Sequence, residues 1–218
     1  MSRICYNPEL MDILRWGVVA AAVFSITALS WHLARTLAYG RTPLFSKPRG
    51  SVLRGIFYAF GPGMTPWEKE SARKHLATYA AGVIYHGGIF LALLHLALSV
   101  IGVRVPGPAL QAARWIFAAA FLAGCGLLAK RIVKPDLRAL SCPDDYVSNG
   151  IVGLFLALSW LAAGRPETEP VLFAASILMF LYIPAGKIRH CAYFFYSRIL
   201  FGRFFGRRGT LPGKTELG

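Results

Sequence analysis

The sequence predicts an all-α integral membrane protein: a five-transmembrane-helix bundle with its N-terminus outside and its C-terminus in the cytoplasm. Two observations lead to this fold class. Only 16% of the 218 residues are charged and the mean hydropathy is +0.50, whereas soluble domains carry about 25% charged residues. The net charge is nevertheless +14. A basic, apolar chain fits a membrane protein with cationic loops better than a nucleic-acid-binding protein, so we expect no nucleic-acid partner.

Five apolar stretches are long enough to cross a bilayer, whose core takes about 17–25 helical residues. We predict spans at 14–35, 76–102, 109–131, 146–164 and 170–191. The first is expected to be a retained helix rather than a secretory signal, because acidic residues precede it and no small-residue cleavage site follows it. We treat 1–218 as a single membrane domain.

The distribution of basic residues predicts the orientation of these spans. Most of the 24 lysines and arginines lie in a connection at 36–75, between the third and fourth spans, or near and within a C-terminal tail at 192–218. The positive-inside rule places these segments in the cytoplasm. We therefore expect a multi-pass protein of the cell inner membrane, with the lipid bilayer as one of its partners.

The connection at 36–75 and the residues around the start of the C-terminal tail at 192–218 contain signals for further helices. Thr65-Pro66-Trp67-Glu68 has the residue types of a capping box with proline at the first helical position, which predicts that the second membrane helix begins near Thr65. The apolar segment 51–60 either lies along the membrane surface or forms an irregular loop. An aromatic cluster at 193–196 is followed by Arg198, Phe201, Arg203, Phe204 and Phe205, which predicts an amphipathic interfacial helix, with part of a docking surface for an electron-transfer partner as a further possibility.

Histidines at membrane depth carry most of the functional information, because ionisable side chains are costly in a bilayer and usually have a role there. Gly82 precedes His86 by four residues, and Gly186 precedes His190 by four. Residues four apart share a helix face, and a flat macrocycle needs small residues beside its ligand. This pattern, on two spans predicted to run in opposite directions, indicates axial ligands for haem b with Gly82 and Gly186 making room.

Three segments of the chain resemble a known family. The segments 84–90 (IYHGGIF), 126–131 (GLLAKR, followed by Pro135) and 184–190 (PAGKIRH) are similar to the gamma subunit of respiratory nitrate reductase. The same family includes the small haem b membrane subunits of heterodisulfide-reductase-like and sulfite-reductase-associated complexes. The resemblance extends over the second to fifth spans, and the predicted topology agrees with it.

The resemblance implies a bundle of five helices that carries one or two b haems. It implies electron transfer between membrane quinol or quinone and a cytoplasmic iron–sulfur partner, within a respiratory oxidoreductase complex. By motif position, His86 and His190 match the metal ligands of the haem nearer the cytoplasm. We predict that Lys187 and Arg189 either pair with the haem propionates or anchor the helix end, or do both.

Two other ligand arrangements stay open. One haem is predicted, and two are possible if His95 and Met179 ligate a second haem. His95 lies nine residues after His86, on the opposite helix face, which weighs against a second haem. Alternatively, His75 pairs with His190 and His86 with Met179, since eleven residues along a helix return to the same face; otherwise His75 is a solvated interface residue.

Arg114 marks a candidate quinone site near the outer end of the third span, where the family keeps a basic residue. It either donates to a quinone carbonyl or extends to the membrane surface. His32, near the inner end of the first span, is predicted to be an interfacial or packing residue. The four cysteines contain no CxxC pair, so the iron–sulfur partner must be a separate polypeptide.

A rival interpretation is a haem-free anchor subunit or a small transporter. His86 and His95 would then line a proton or substrate path. The apolar stretches contain no Asp or Glu, which weighs against proton-coupled transport.

Overall fold

A computed structural model of the chain describes residues 8–39, 45 and 47–211. The regular structure of this part is entirely helical. The helices are α1 (Pro8–Ala38), α2 (Val52–Phe60), α3 (Glu70–Lys74), α4 (Leu76–Val100), α5 (Gly107–Val133), α6 (Pro135–Ala139), α7 (Pro143–Gly164), α8 (Glu169–Tyr182) and α9 (His190–Arg208). Short 3-10 turns lie at Pro62–Met64, Pro166–Thr168 and Lys187–Arg189.

Four helices, α1, α4, α5 and α7, are long and apolar enough to cross a membrane. A fifth is present if the broken pair of α8 and α9 counts as one span. The predicted all-helical fold is thus confirmed, and the first four predicted spans each coincide with one helix. The fifth, 170–191, is not a continuous helix.

The break in the fifth span follows from Pro184. Helix α8 ends at Tyr182, and the amides of Ala185 and Gly186 both donate to the Tyr182 carbonyl, at 3.0 and 2.9 Å. Proline has no N–H and its ring collides with the preceding turn, so a regular helix does not continue through it. A 3-10 turn at Lys187–Arg189 then leads into α9.

The described residues belong to two compact units. The first comprises those of 1–28 and 77–188, and the second those of 29–76 and 189–218. The core of the first unit contains the fully buried side chains Phe117, Phe155 and Phe173 on α5, α7 and α8. Buried Ser159 and Ser176 donate to carbonyl oxygens one turn earlier, at 2.8 and 2.7 Å, so their hydroxyls are satisfied inside an apolar core.

Large apolar side chains are exposed along the outer faces of these helices. Val83, Phe90, Leu122, Leu154 and Leu178 are each more than half exposed. Soluble monomers rarely expose contiguous apolar surface of this kind, whereas hydrocarbon solvates it well. The surface is compatible with a multi-pass membrane protein.

The second unit corrects one prediction and resolves another. Thr65 does not begin a helix: its backbone is extended and its hydroxyl donates backwards to the Pro62 carbonyl at 2.7 Å. The next helix, α3, begins at Glu70, and His75 separates it from α4. The segment 51–60, for which a loop was the alternative, forms α2, whose first turn Ser51 caps by accepting from the Arg54 amide at 3.3 Å.

Candidate functional site

His86 lies in the first half of α4, and its side chain is exposed. Its Nδ1 atom is 2.7 Å from the carbonyl oxygen of Gly82. Because a carbonyl can only accept, Nδ1 carries the proton in this hydrogen bond, and the neutral ring has its lone pair on Nε2. Metal-bound histidines commonly use this arrangement, with one ring nitrogen held by a backbone carbonyl and the other facing the metal.

The glycines around His86 lie in two different environments. Apart from the backbone of α4, no atom in the described part of the chain lies within 4 Å of a Cβ placed on Gly82 or Gly87. On Gly88, by contrast, a Cβ would overlap the Ala120 side chain of α5. The Gly88 side of α4 is therefore packed, while the side that carries Gly82 and His86 has room for a flat group.

His190 is the first residue of α9, in the second unit, and both it and Arg189 are exposed. Gly186 does not lie on the same helix, because the turn at Lys187–Arg189 intervenes. A Cβ on Gly186 would overlap the ring of Tyr182. The shared helix face expected for Gly186 and His190 is thus wrong, and Gly186 provides space for Tyr182.

Lys187 belongs to an ionic cluster at the start of α7. Its Nζ atom lies 2.6 Å from Asp145 Oδ2, and Arg131 lies 3.5 Å from Asp145 Oδ1. At the neighbouring residue of α7, the carboxylate of Asp144 accepts a hydrogen bond from the Tyr182 hydroxyl. These contacts hold the turn after α8 against α7. A propionate would have to share Lys187 with Asp145.

A cavity of about 590 Å³ lies in the first unit, where α4 ends and α5 begins. Its lining includes His95, Ser99, Arg15, Arg104 and Glu169. His95 Nδ1 and Arg15 Nε are both buried, and neither has a hydrogen-bond partner among the described residues. Burying a polar atom without a partner costs about 1–3 kcal/mol. Both nitrogens belong to residues that line the same cavity, and the Arg15 guanidinium also pairs with Asp12 through Nη1 at 3.3 Å.

The remaining candidates are not among the residues that line this cavity. Met179 is buried in the core of the first unit and is not among the residues that line the cavity, so its predicted pairing with His95 gains no support. Arg114 packs its guanidinium 5.0 Å from the Trp160 ring centre and is likewise not one of the lining residues. His75 is exposed at the end of α3, and His32 is half-buried on α1.

Sequence reasoning missed Arg15 and Arg104 as candidate ligand-binding residues. Neither residue was named as a candidate from the sequence. A usable signal was present, because Arg15 stands at the start of an apolar stretch, where a charged side chain must find a partner or reach water.

Compared with protein-family models, curated proteins and solved structures, the chain matches none of them. The resemblance to the nitrate reductase gamma family therefore stays a prediction from the three segments in which it was found.

Proposed function

We propose that this chain is a haem b electron-transfer subunit of a quinone-linked respiratory oxidoreductase, with His86 and His190 as axial ligands. The observation that carries the proposal is the hydrogen bond from His86 Nδ1 to Gly82, beside open space on the same side of α4. The bond fixes the ring in the tautomer and direction that a metal ligand needs. The pairing with His190 rests on the sequence resemblance.

When bound, haem b supplies one-electron redox chemistry. The protein's part is to hold and orient the group. His86 and His190 donate their imidazole lone pairs, Gly82 admits the macrocycle, and Arg189 is available to a propionate. The described residues contain no group of three or more His, Cys, Asp and Glu side chains that could hold a metal ion; bis-histidine ligation needs only two donors.

The packing of α2 against α9 supports five membrane crossings. The two helices touch, so they lie on the same side of the membrane. Between them the chain passes through α4, α5 and α7, and three crossings alone would leave α2 and α9 on opposite sides. A crossing by α8 makes the number of crossings four, which returns the chain to the side of the membrane where α2 lies. Its 14 residues span only about 21 Å, and the turns on both sides of α8 extend this length.

In the proposed topology, the C-terminal helix and the basic connection at 36–75 lie on the same side of the membrane. The positive-inside rule then makes that side cytoplasmic, with the N-terminus outside and the protein in the cell inner membrane. The cytoplasmic face would attract an acidic iron–sulfur partner. That partner supplies the catalytic centre, so the chain acts as a non-autonomous subunit.

We further propose that quinone or quinol binds in the cavity beside His95. Arg15 Nε–H can donate to a quinone oxygen, and His95 Nδ1 can accept a proton from a quinol hydroxyl. In the proposed topology this cavity lies towards the outer side of the membrane. Arg114, which packs on Trp160 and whose Nε atom is also buried without a hydrogen-bond partner among the described residues, stays a second candidate for the quinone site.

The test of the haem proposal is a pyridine haemochrome assay on the purified full-length protein, normalised to its concentration. We expect about one haem b per chain and a low-spin spectrum typical of two imidazole ligands. A colourless preparation from cells that make haem would overturn the proposal and favour a haem-free anchor subunit.

The quinone site predicts a separable effect. Arg15→Gln and His95→Ala are each expected to weaken quinone binding about tenfold, the loss expected when one strong hydrogen bond is removed, while haem content stays unchanged. A titration of purified protein with a short-chain quinone, followed by isothermal calorimetry, measures this.

Arg165→Gln is the matched control for that titration, since Arg165 lies at the end of α7 and does not line the cavity. Unchanged affinity in both cavity variants would contradict the quinone site. A halved haem content in His95→Ala would instead assign His95 to a second haem.

A further inference from the structure

Helices α2 and α9 of the second unit pack through their backbones. A Cβ on Gly202 would stand 2.6 Å from the Gly55 carbonyl oxygen, and a Cβ on Gly206 would stand 2.6 Å from that of Ser51. At the end of the seam the amides of Arg49 and Gly50 both donate to the Arg207 carbonyl at 3.0 Å. The two helices thus form one closely packed element, the α2–α9 plate.

The plate exposes large apolar side chains away from its glycine seam. On α2, Leu53 and Phe57 are 64% and 70% exposed, and the helical repeat puts them on the face opposite Gly55. On α9, Leu200 and Phe204 lie opposite Gly202 and are also exposed. Exposed side chains of this kind, on helices that are joined in sequence to apolar helices, favour contact with an apolar phase.

The sequences of α2 and α9 contain arginines and no acidic residues. Neither α2 nor α9 contains Asp or Glu in its sequence, while together they carry Arg54, Arg198, Arg203, Arg207 and Arg208. The Arg208 guanidinium lies 3.6 Å from the Phe204 ring centre, and that of Arg198 lies 5.6 Å from the Phe194 ring centre.

The acidic residues that the structure describes in the second unit lie outside the plate and have partners. Glu68 accepts from the Tyr58 hydroxyl at 2.7 Å, and Glu70 pairs with Lys74 at 2.6 Å. The Glu68 contact adds to burial in raising the pKa of Tyr58 to about 12. Both carboxylates thus belong to the connection between α2 and α4 and not to α2 or α9.

We infer that the α2–α9 plate lies in the headgroup region of an anionic phospholipid leaflet. Leu53 and Phe57, on the α2 side of the seam, enter the acyl boundary, while Leu200 and Phe204 point away from the seam on the other side. Arginines of the plate bind lipid phosphates. Guanidinium groups that pack on aromatic rings suit a boundary where charge and hydrocarbon meet within one side-chain length. The chain positions agree, because α1 and α4 flank α2 and α8 precedes α9. This inference goes beyond the proposed function and does not depend on haem.

The first test measures the depth of the plate in the full-length protein. A nitroxide is attached to Phe57→Cys, in a background without the four native cysteines, and the protein is reconstituted in vesicles with phosphatidylglycerol. We expect the label at 57 to collide several-fold more with oxygen than with a water-soluble nickel complex. A label on Arg73→Cys, on exposed α3, should show the reverse.

The second test measures lipid charge. Arg54→Gln and Arg203→Gln should each weaken binding of phosphatidylglycerol about fivefold, the effect of one cation at an anionic surface, as measured by native mass spectrometry. Arg73→Gln is the matched control and should change it little. Binding of phosphatidylcholine should be equal in all variants.

Two results would overturn the inference. A water-accessible label at 57 would leave the plate outside the lipid and make it a surface for an acidic protein. Equal phosphatidylglycerol binding by Arg54→Gln, Arg203→Gln and Arg73→Gln would remove the role of the plate's arginines. Neither result bears on haem content, which the haemochrome assay measures separately.

Discussion

Replacing His86 with alanine is expected to remove haem b from the purified protein and to leave the helices assembled. The side chain is exposed on α4, so its truncation leaves no buried cavity, and exposed substitutions usually change stability by no more than about 0.5 kcal/mol. Haem content should fall from about one per chain to near zero, because one of the two axial bonds is lost. Reduced-minus-oxidised spectra and the haemochrome assay measure the loss, and far-UV circular dichroism checks the helices.

His75→Ala is the matched control for this variant. His75 is also exposed, at the break between α3 and α4, and its removal should leave the haem spectrum unchanged. Added imidazole should restore part of the low-spin spectrum of His86→Ala, since it can supply the missing ligand. Haem retained in His86→Ala and lost in His75→Ala would contradict the assignment and select the alternative pairing of His75 with His190.

Hydropathy predicted the long helices well, because the length and apolar composition of a segment are enough to identify a helix that can span a membrane. Each of the first four spans coincides with one helix, α1, α4, α5 or α7. An apolar run of about 20 residues has few alternatives in a bilayer, since every backbone group must be bonded within the helix. The orientation predicted from loop charge stays a prediction.

The same method failed where backbone geometry decides the structure. Ile183, Pro184 and Ala185 are apolar enough to extend a hydropathy window, yet Pro184 ends the helix through its missing N–H. The helical phase expected between Gly186 and His190 was lost with that break. At Thr65, the capping-box residues were present, but the hydroxyl bonds to the preceding turn, and a sequence pattern does not reveal that direction.

The cavity beside His95 also lay beyond sequence reasoning. Its lining comes from α1, the α4–α5 connection and the starts and ends of other helices, and only packing brings these together. The glycine seam, in contrast, had a readable signal. Gly202 and Gly206 are four residues apart, as are Gly55 and Ala59, and small residues at this spacing are typical of close helix pairs.

The second large effect concerns that seam. Gly55→Ala is expected to destabilise the protein by about 1–3 kcal/mol, as overpacking of a close contact does. The added Cβ would overlap the Gly202 carbonyl and stand 2.6 Å from Gly206 Cα. Both obstacles are backbone atoms, so no side-chain rotation relieves the clash and the two helices must separate. Thermal unfolding in detergent, followed by circular dichroism, measures the loss.

Gly150→Ala is the matched control. Gly150 lies in helix α7, and no atom in the described part of the chain is within 4 Å of its Cβ position. This substitution should be neutral or should stabilise by about 0.5–1 kcal/mol, since alanine favours the helix. A stability loss equal to that of Gly55→Ala would mean that alanine destabilises the protein at any helical glycine. The close contact at the seam would then not be the cause of the loss in Gly55→Ala.

Limited trypsin digestion tests the separation directly. The C-terminal half of α9 carries Arg203, Arg207 and Arg208, and the amides of Arg49 and Gly50 donate to the Arg207 carbonyl. Separation of the plate should expose these sites, so Gly55→Ala should be cut faster than the wild-type protein and Gly150→Ala should not. If Gly55→Ala kept the cleavage rate and thermal midpoint of the wild type, α2 and α9 would not touch. Nothing would then require α8 to cross the membrane, and the C-terminal helix with His190 could lie on the other side.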